Sequence, residues 1–160
     1  MRQKPPSSKQ EVELEPISSY GRVIMERTTP RFDIPVELRF RDLDAYGHVN
    51  NAAYFTLIET ARVKFLHHYY PEGISSGPLF VVARATCDFR RPMGMIERVI
   101  VTITATEFGR SSFSLIYTIR DEENNHYADA TTKMVAVDCE TKRPTAVPTG
   151  FDALLKGLEG

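Results

Sequence analysis

One segment with helical periodicity, followed by four segments with strand periodicity, constrains the fold of this chain most strongly. Apolar side chains recur at helical spacing from Ala52 to Tyr70, which predicts one long helix. Alternation of apolar and polar residues predicts a strand beginning at Ile34. Four more predicted strands follow the helix and are joined by short turns: 79–90, 96–107, 112–121 and 126–138. Short turns favour antiparallel pairing, so the order predicts an α+β fold in which a curved antiparallel sheet of about five strands wraps around one long central helix.

The chain is long enough for one domain and leaves little room for a second. It has 160 residues, of which 42% are hydrophobic, a size typical of a single folded unit. Residues 1–19 are rich in Pro, Ser and Glu and are predicted to form a flexible N-terminal arm. Residues 20–147 are predicted to form the folded domain. Residues 148–160 are predicted to form a C-terminal tail with at most a short helix.

The charge balance excludes extended anionic partners. Lys and Arg number 20 against 21 Asp and Glu, a formal net charge of −1, so no global field attracts nucleic acid or an anionic membrane. No stretch approaches the roughly 18 apolar residues of a membrane span. The two cysteines lack CxxC spacing and no His cluster accompanies them, which argues against a metal site. We therefore expect a cytoplasmic protein that binds neither nucleic acid nor membrane and needs no metal.

The densest polar cluster lies between the first clear strand and the helix, from Arg41 to Asn51. Asn50 or Asn51 suits the N-cap of the helix, because a short side-chain oxygen accepts hydrogen bonds from free helix amides. Those amides and the positive end of the helix dipole also favour an oxyanion. Asp44 supplies a carboxylate a few residues upstream. A carboxylate close to an oxyanion site is an arrangement suited to hydrolysis. An ordinary strand-to-helix turn, however, has a similar composition.

The same segment carries a resemblance to a known family. Residues 39–55, RFRDLDAYGHVNNAAYF, with ETAR at 59–62, resemble the signature of hotdog-fold acyl-CoA thioesterases of the 4-hydroxybenzoyl-CoA thioesterase type. The match spans roughly residues 34–138. The resemblance implies the hotdog fold and hydrolysis of an acyl-CoA to free acid and coenzyme A, with no cofactor beyond the coenzyme A of the substrate. An open sheet of this kind leaves edges that a second subunit can cover, so we expect a homodimer or homotetramer.

The resemblance also assigns roles to residues of the loop. It implies that Asp44 is the catalytic carboxylate, acting as general base on water or as nucleophile. The backbone N–H of Asn51 would bind the thioester oxygen, beside Asn50, and Gly47 would let the turn approach the substrate. His48 has acid–base chemistry and stands four residues after Asp44. Related acyl-carrier-protein thioesterases pair Asp with Asn and His at alternating positions, but here Tyr46 replaces the Asn, which weakens a catalytic role for His48.

Coenzyme A phosphates require local positive charge. Two groups stand in predicted turns where guanidinium and backbone groups can face phosphate: Arg90 with Arg91, and Arg110 with Ser111 and Ser112. Tyr54 is a candidate to line the acyl site. Glu59 on the helix is expected to form a surface pair with Arg62 at i,i+3 spacing, since the branch of the fold with a helix carboxylate begins with a His-Gly-Gly segment that this chain lacks.

Two other functions are compatible with the same fold. One is a hotdog protein that binds an acyl-CoA without cleaving it; the presence of Asp44 argues against this. The other is a hydratase or dehydratase, which needs an acid–base pair aimed at the acyl chain. Asp44 and His48 are the residues that could supply such a pair, and their common loop fits thioester chemistry better.

Overall fold

The computed structural model describes residues 22–26, 29–71, 77–96 and 98–157. Its elements in chain order are β1 (Arg22–Glu26), β2 (Thr29–Glu37), a 3-10 turn (Phe40–Asp42), α1 (Asn51–Tyr69), β3 (Leu79–Phe89), β4 (Arg98–Thr106), β5 (Ser112–Arg120), β6 (His126–Val137) and α2 (Thr149–Lys156). The predicted helix and the four strands after it agree with these bounds to within two residues. The predicted arm, residues 1–19, lies outside the described residues.

The strands form one antiparallel sheet in the order β1-β2-β4-β5-β6-β3. The predicted five-strand sheet corresponds to β2, β4, β5, β6 and β3, and β1 adds a sixth strand beside β2. At the opposite edge, β3 pairs with β6 on one side. The α+β fold class is confirmed.

The core lies between α1 and the concave face of the sheet. The buried residues of α1 recur every three or four positions, which keeps them on one face of the helix: Tyr54, Leu57, Ile58, Ala61 and Phe65. They pack mainly toward β2 and β4. Phe65 is fully buried, with its ring 4.8 Å from that of Phe32 on β2 and 6.0 Å from that of Phe151 on α2. The apolar surface of α1 is therefore covered on one side, whereas Phe55 and Val63 remain exposed.

The sheet has two ends that matter for the site. At one end α1 begins, and the Tyr54 ring lies 5.0 Å from that of Phe89 at the end of β3. At the other end α1 finishes, and the Tyr70 ring lies 5.2 Å from that of Phe80 near the start of β3. The length of β5, eight steps of about 3.3 Å, separates the two ends by about 26 Å. Within the described residues, no helix is long and apolar enough to cross a membrane.

Candidate active site

The loop between β2 and α1 closes on itself around Asp44. Leu43 and Val49 form an isolated antiparallel bridge, and inside it the Asp44 N–H donates to the His48 carbonyl at 2.7 Å. The Gly47 N–H donates to the Asp44 carbonyl at 3.1 Å. Gly47 has a φ of +76°, which only glycine adopts at little cost, and nothing lies within 4 Å of where its Cβ would stand. The turn needs glycine for its backbone conformation rather than for space.

The Asp44 carboxylate is held by one of its two oxygens. Oδ1 accepts hydrogen bonds from the backbone N–H groups of Tyr46 at 2.8 Å and His48 at 3.1 Å. Within the described part of the chain, no hydrogen bond reaches Oδ2, and none joins the carboxylate to the His48 imidazole. The carboxylate is therefore oriented by the backbone, with one oxygen available to a substrate or a water.

The start of α1 leaves one amide available beside this loop. Asn50 is the N-cap, and its Oδ1 accepts a hydrogen bond from the Ala52 N–H at 2.9 Å. The cap is fixed from a neighbouring loop, because the Val49 N–H donates to the Met93 carbonyl at 2.7 Å. The N–H of Asn51, the first helical residue, has no acceptor among the described residues. An unpaired amide at the positive end of a 19-residue helix is suited to an oxyanion.

Asp42, the other aspartate of the loop, is structural. Its side chain is buried and accepts hydrogen bonds from the Arg39 backbone N–H at 2.8 Å and the Arg39 guanidinium at 3.2 and 3.3 Å. Burial alone would raise the pKa of Asp42, but these hydrogen bonds and the charges of Arg39 and Arg41 hold that pKa below its ordinary value. Its carbonyl also accepts from the Asn50 N–H at 2.8 Å. Asp42 therefore joins the 3-10 turn to the helix cap.

Arg90 and Arg91 lie at the same end of the sheet as the Asp44 loop. Arg90 forms an ion pair with Asp129 at 2.9 Å, so its charge already has a partner. The Arg91 guanidinium carbon lies 4.7 Å from the centre of the Tyr127 ring, a cation–π arrangement that fixes its position without neutralising its charge. Arg91 is the better placed of the two to bind a phosphate.

Arg110, Ser111 and Ser112 lie at the opposite end. The Arg110 carbonyl accepts from the Val147 N–H at 3.0 Å, and the Ser111 carbonyl accepts from the Ala136 N–H at 2.8 Å. The Ser112 carbonyl accepts from the Gly109 N–H at 2.7 Å. Within one chain, these three residues are separated from the Asp44 loop by about the 26 Å length of the sheet.

Tyr54 belongs to the core of the isolated chain. It is 2% exposed, and burial together with the neighbouring Cys87 and Tyr127 raises the pKa of its hydroxyl to about 12. Burial, with the charges of Asp88 and Asp129, raises the pKa of the Cys87 thiol to about 11. Both groups stay protonated near neutral pH, so neither is an activated nucleophile.

This environment predicts that the two cysteines react very differently. At pH 8 a thiol with a pKa of about 11 is about one part in a thousand thiolate, whereas Cys139 is exposed. A chromogenic disulfide reagent is expected to titrate one thiol rapidly in the native protein and the second on unfolding. The fast phase should disappear in Cys139→Ser. Two rapid thiols in the native wild type would contradict the assignment.

The structure corrects the prediction for Arg62. In the described part of the chain, no ion pair joins Arg62 to Glu59; burial raises the pKa of the Tyr117 hydroxyl on β5, and the charge of Arg62 acts in the opposite direction. Glu59 and Arg62 have the i,i+3 spacing that favours a surface pair whether or not they form one. The local sequence therefore does not indicate which groups outside the helix lie near Arg62. Sequence reasoning also gave no role to Phe40 and Tyr46, which flank Asp44 and are about 85% exposed.

Comparisons with known proteins relate the sequence and the fold of this chain to thioesterases. The model of the thioesterase-like superfamily matches residues 38–155. The acyl-CoA thioester hydrolase YbgC of Escherichia coli O6:H1 is 28% identical over 131 residues, covering 80% of this chain and 98% of the relative. A thioesterase structure from Thermus thermophilus, complexed with coenzyme A and Zn, is 30% identical with a TM-score of 0.67, covering 78% of this chain and 96% of that one. A 1,4-dihydroxy-2-naphthoyl-CoA thioesterase from Synechocystis, 20% identical, shares the fold with a TM-score of 0.69, covering 78% of this chain and 95% of that one.

The wrapped helix and the antiparallel sheet define the hotdog fold shared with these thioesterases. This chain belongs to the thioesterase-like superfamily, and the resemblance to hotdog acyl-CoA thioesterases is confirmed. Among the residues that the structure describes, no group of three or more His, Cys, Asp or Glu side chains is placed to hold a metal ion.

Proposed function

We propose that this chain hydrolyses an acyl-CoA to the free acid and coenzyme A, with Asp44 as its catalytic carboxylate. The observation that carries the proposal is the Asp44 carboxylate, whose Oδ1 is fixed by two amides, beside a helix start whose first amide is unpaired in the described part. The names of similar proteins support it, since YbgC is an acyl-CoA thioester hydrolase and the Thermus thioesterase was crystallised with coenzyme A.

Two routes use these groups. In the first, Asp44 takes a proton from a water molecule as that water attacks the thioester carbonyl carbon. In the second, Asp44 attacks the carbon itself, and water then hydrolyses the mixed anhydride. In both, negative charge develops on the carbonyl oxygen, where the Asn51 N–H stabilises it. The C–S bond then breaks and coenzyme A leaves as a thiolate, which takes up a proton. His48 is exposed beside the site and is a candidate to exchange that proton with solvent.

Arg91 is the residue of this chain that we assign to the coenzyme A phosphates. It lies at the Asp44 end of the sheet, and its guanidinium is held over the Tyr127 ring with its charge not paired to a carboxylate among the described residues. Arg90, the residue before Arg91, forms an ion pair with Asp129. This ion pair holds the chain in place at the end of β3. A guanidinium that is already positioned loses less entropy when it binds phosphate.

We also propose that the working unit contains two chains joined through β3. On its edge strand Leu79, Val81, Val82 and Phe89 are 41–44% exposed, and an open apolar edge favours pairing with another strand. Antiparallel pairing of two β3 strands around a two-fold axis sets the Phe89 end of one strand beside the Leu79 end of the other. Arg110, Ser111 and Ser112 of the partner subunit would then approach the Asp44 loop, which is how these residues could serve the same substrate.

The test is thiol release from short, long and aromatic acyl-CoAs by the purified protein. We expect at least one of them to give coenzyme A thiol and free acid in equal amounts. Binding of acyl-CoA without thiol release would indicate the non-catalytic binding protein instead. Loss of an enoyl-CoA double bond without thiol release would indicate a hydratase. Either result would overturn the proposed hydrolysis.

A further inference from the structure

Tyr127 stands at a β-bulge near the beginning of β6. Ile119 pairs with Ala128, and Arg120 pairs with His126. One step along β5 therefore corresponds to two steps along β6, and Tyr127 is the additional residue of the bulge. A bulge bends its strand and changes the direction in which a side chain points. Tyr127 is only 8% exposed, so the bulge places a large aromatic ring where neighbouring groups cover it.

The hydroxyl of Tyr127 is anchored to the turn that precedes β6. It donates a hydrogen bond to the Asp121 carboxylate at 2.8 Å. The same carboxylate accepts hydrogen bonds from the Asn125 backbone N–H at 2.8 Å and from the Asn125 side-chain amide at 2.7 Å. Asp121 is 9% exposed, and these three donors compensate its carboxylate for lost hydration. The ring of Tyr127 is therefore held at its hydroxyl end by an acceptor that is itself fixed.

The backbone and the ring of Tyr127 both hold the segment that carries Arg91. The Tyr127 carbonyl accepts hydrogen bonds from the Arg90 N–H at 2.8 Å and from the Arg91 N–H at 3.4 Å. The Arg91 guanidinium carbon lies 4.7 Å from the centre of the Tyr127 ring, where the face of the ring attracts a cation. One residue, fixed by the bulge and by Asp121, therefore positions Arg91 through both its main chain and its side chain.

These contacts give Tyr127 a part in substrate binding. A guanidinium that is positioned before its ligand arrives loses less conformational entropy on binding, and its planar fork matches two phosphate oxygens at once. Resting on the proposed function, in which Arg91 binds the coenzyme A phosphates, we propose that Tyr127 is the positioning residue that holds Arg91 for those phosphates. The site then distinguishes between carriers of the acyl group. It prefers coenzyme A to pantetheine, which has the same thiol arm without any phosphate.

The test compares the binding of coenzyme A and of pantetheine by calorimetry, so that it does not depend on hydrolysis. Wild type is expected to bind coenzyme A at least about tenfold more tightly, because charge-assisted hydrogen bonds hold the phosphates. Tyr127→Leu removes both the ring and the hydroxyl and is expected to reduce this preference about three- to tenfold, since the Arg91 side chain must then be ordered on binding. Tyr127→Phe, which keeps the ring, should retain part of the preference.

A double variant tests whether Tyr127 acts through Arg91. Arg91→Met should lower the preference for coenzyme A at least as much as Tyr127→Leu does, and combining the two substitutions should lower it no further than Arg91→Met alone. Tyr69→Phe is the matched control, because it removes a tyrosine hydroxyl at the opposite end of α1, and it should keep the wild-type preference. The role of Tyr127 is wrong if Tyr127→Leu weakens the binding of coenzyme A and of pantetheine equally, or if the two substitutions act independently.

Steady-state kinetics separate this inference from the proposed hydrolysis. With the acyl-CoA that the wild type hydrolyses best, Tyr127→Leu should raise KM more than it lowers kcat, because Tyr127 acts on the carrier and not on the thioester. A fall in kcat alone would contradict the role of Tyr127. If no acyl-CoA releases thiol but the preference for coenzyme A still depends on Tyr127, hydrolysis is wrong and the role of Tyr127 stands. If thiol is released but the wild type shows no preference for coenzyme A, hydrolysis stands and the role of Tyr127 is overturned.

Discussion

Replacing Asp44 by asparagine is expected to lower kcat for thioester hydrolysis by about 10³-fold or more, the scale of losing a general base. The asparagine side chain keeps an oxygen that accepts the hydrogen bonds of the Tyr46 and His48 amides, so the turn should persist. What it lacks is the basic and nucleophilic carboxylate. The measurement is thiol release under saturating acyl-CoA, with thermal unfolding recorded for the same sample.

Asp42→Asn is the matched control two residues away. The neutral side chain loses charge-assisted hydrogen bonds to Arg39, so we expect a loss of about 1–3 kcal/mol in the free energy of unfolding and near-normal kcat in the folded fraction. The pKa of Asp42 is lower in the folded chain than its ordinary value of 3.8. The ionised Asp42 side chain therefore contributes fully to the free energy of unfolding at pH values above 3.8. That contribution is lost as the pH falls toward the lowered pKa. The stability difference between wild type and variant should shrink over that range.

The two aspartates are expected to separate stability from catalysis. The assignment is wrong if Asp44→Asn retains wild-type kcat, or if Asp42→Asn is as inactive as Asp44→Asn while equally well folded. A large loss of stability in Asp44→Asn would also count against it, because the structure gives that carboxylate hydrogen bonds from backbone amides and no ion pair in the described residues.

The sequence predicted those features that short stretches of chain determine. The helical spacing of residues such as Tyr54, Ile58 and Phe65 gave α1 to within a residue of each end, because burial on one side of a helix imposes that spacing. Asp44, Gly47 and Asn50 were found as a cluster since they are neighbours in one loop. Their contacts with each other are local hydrogen bonds that a motif can encode.

The remaining features depend on contacts between distant parts of the chain. Arg90 meets Asp129, which lies 39 residues away, and Arg120 meets Asp33, which lies 87 residues away. Nothing in the local spacing of an arginine indicates which strand it will reach. The separation of Arg91 from Arg110 likewise follows from the register of β5 with β6, so the two groups predicted to bind one phosphate region proved to lie at opposite ends of the sheet.

The exposed edge of β3 carries the second large expected effect, on assembly. We expect wild type to sediment as a dimer or larger rather than at 18.2 kDa, and Val82→Asp to sediment as a monomer. A charged side chain on an edge strand blocks pairing with another strand, and Asp is disfavoured in strands. Because the proposed site draws Arg110 from the partner subunit, the monomer should also lose at least about tenfold in kcat/KM.

Ile116→Asp provides the comparison that makes this result specific to the edge. Ile116 is 40% exposed, close to the 41% of Val82. It lies on β5, however, which is in the interior of the sheet and is already paired with β4 on one side and β6 on the other. A general effect of placing a carboxylate on a half-exposed strand residue would appear equally in both variants. Dissociation in Val82→Asp alone, with loss of activity, supports assembly through β3. A monomeric wild type with full activity would show instead that one chain forms the complete site, and that Arg110 has no part in it.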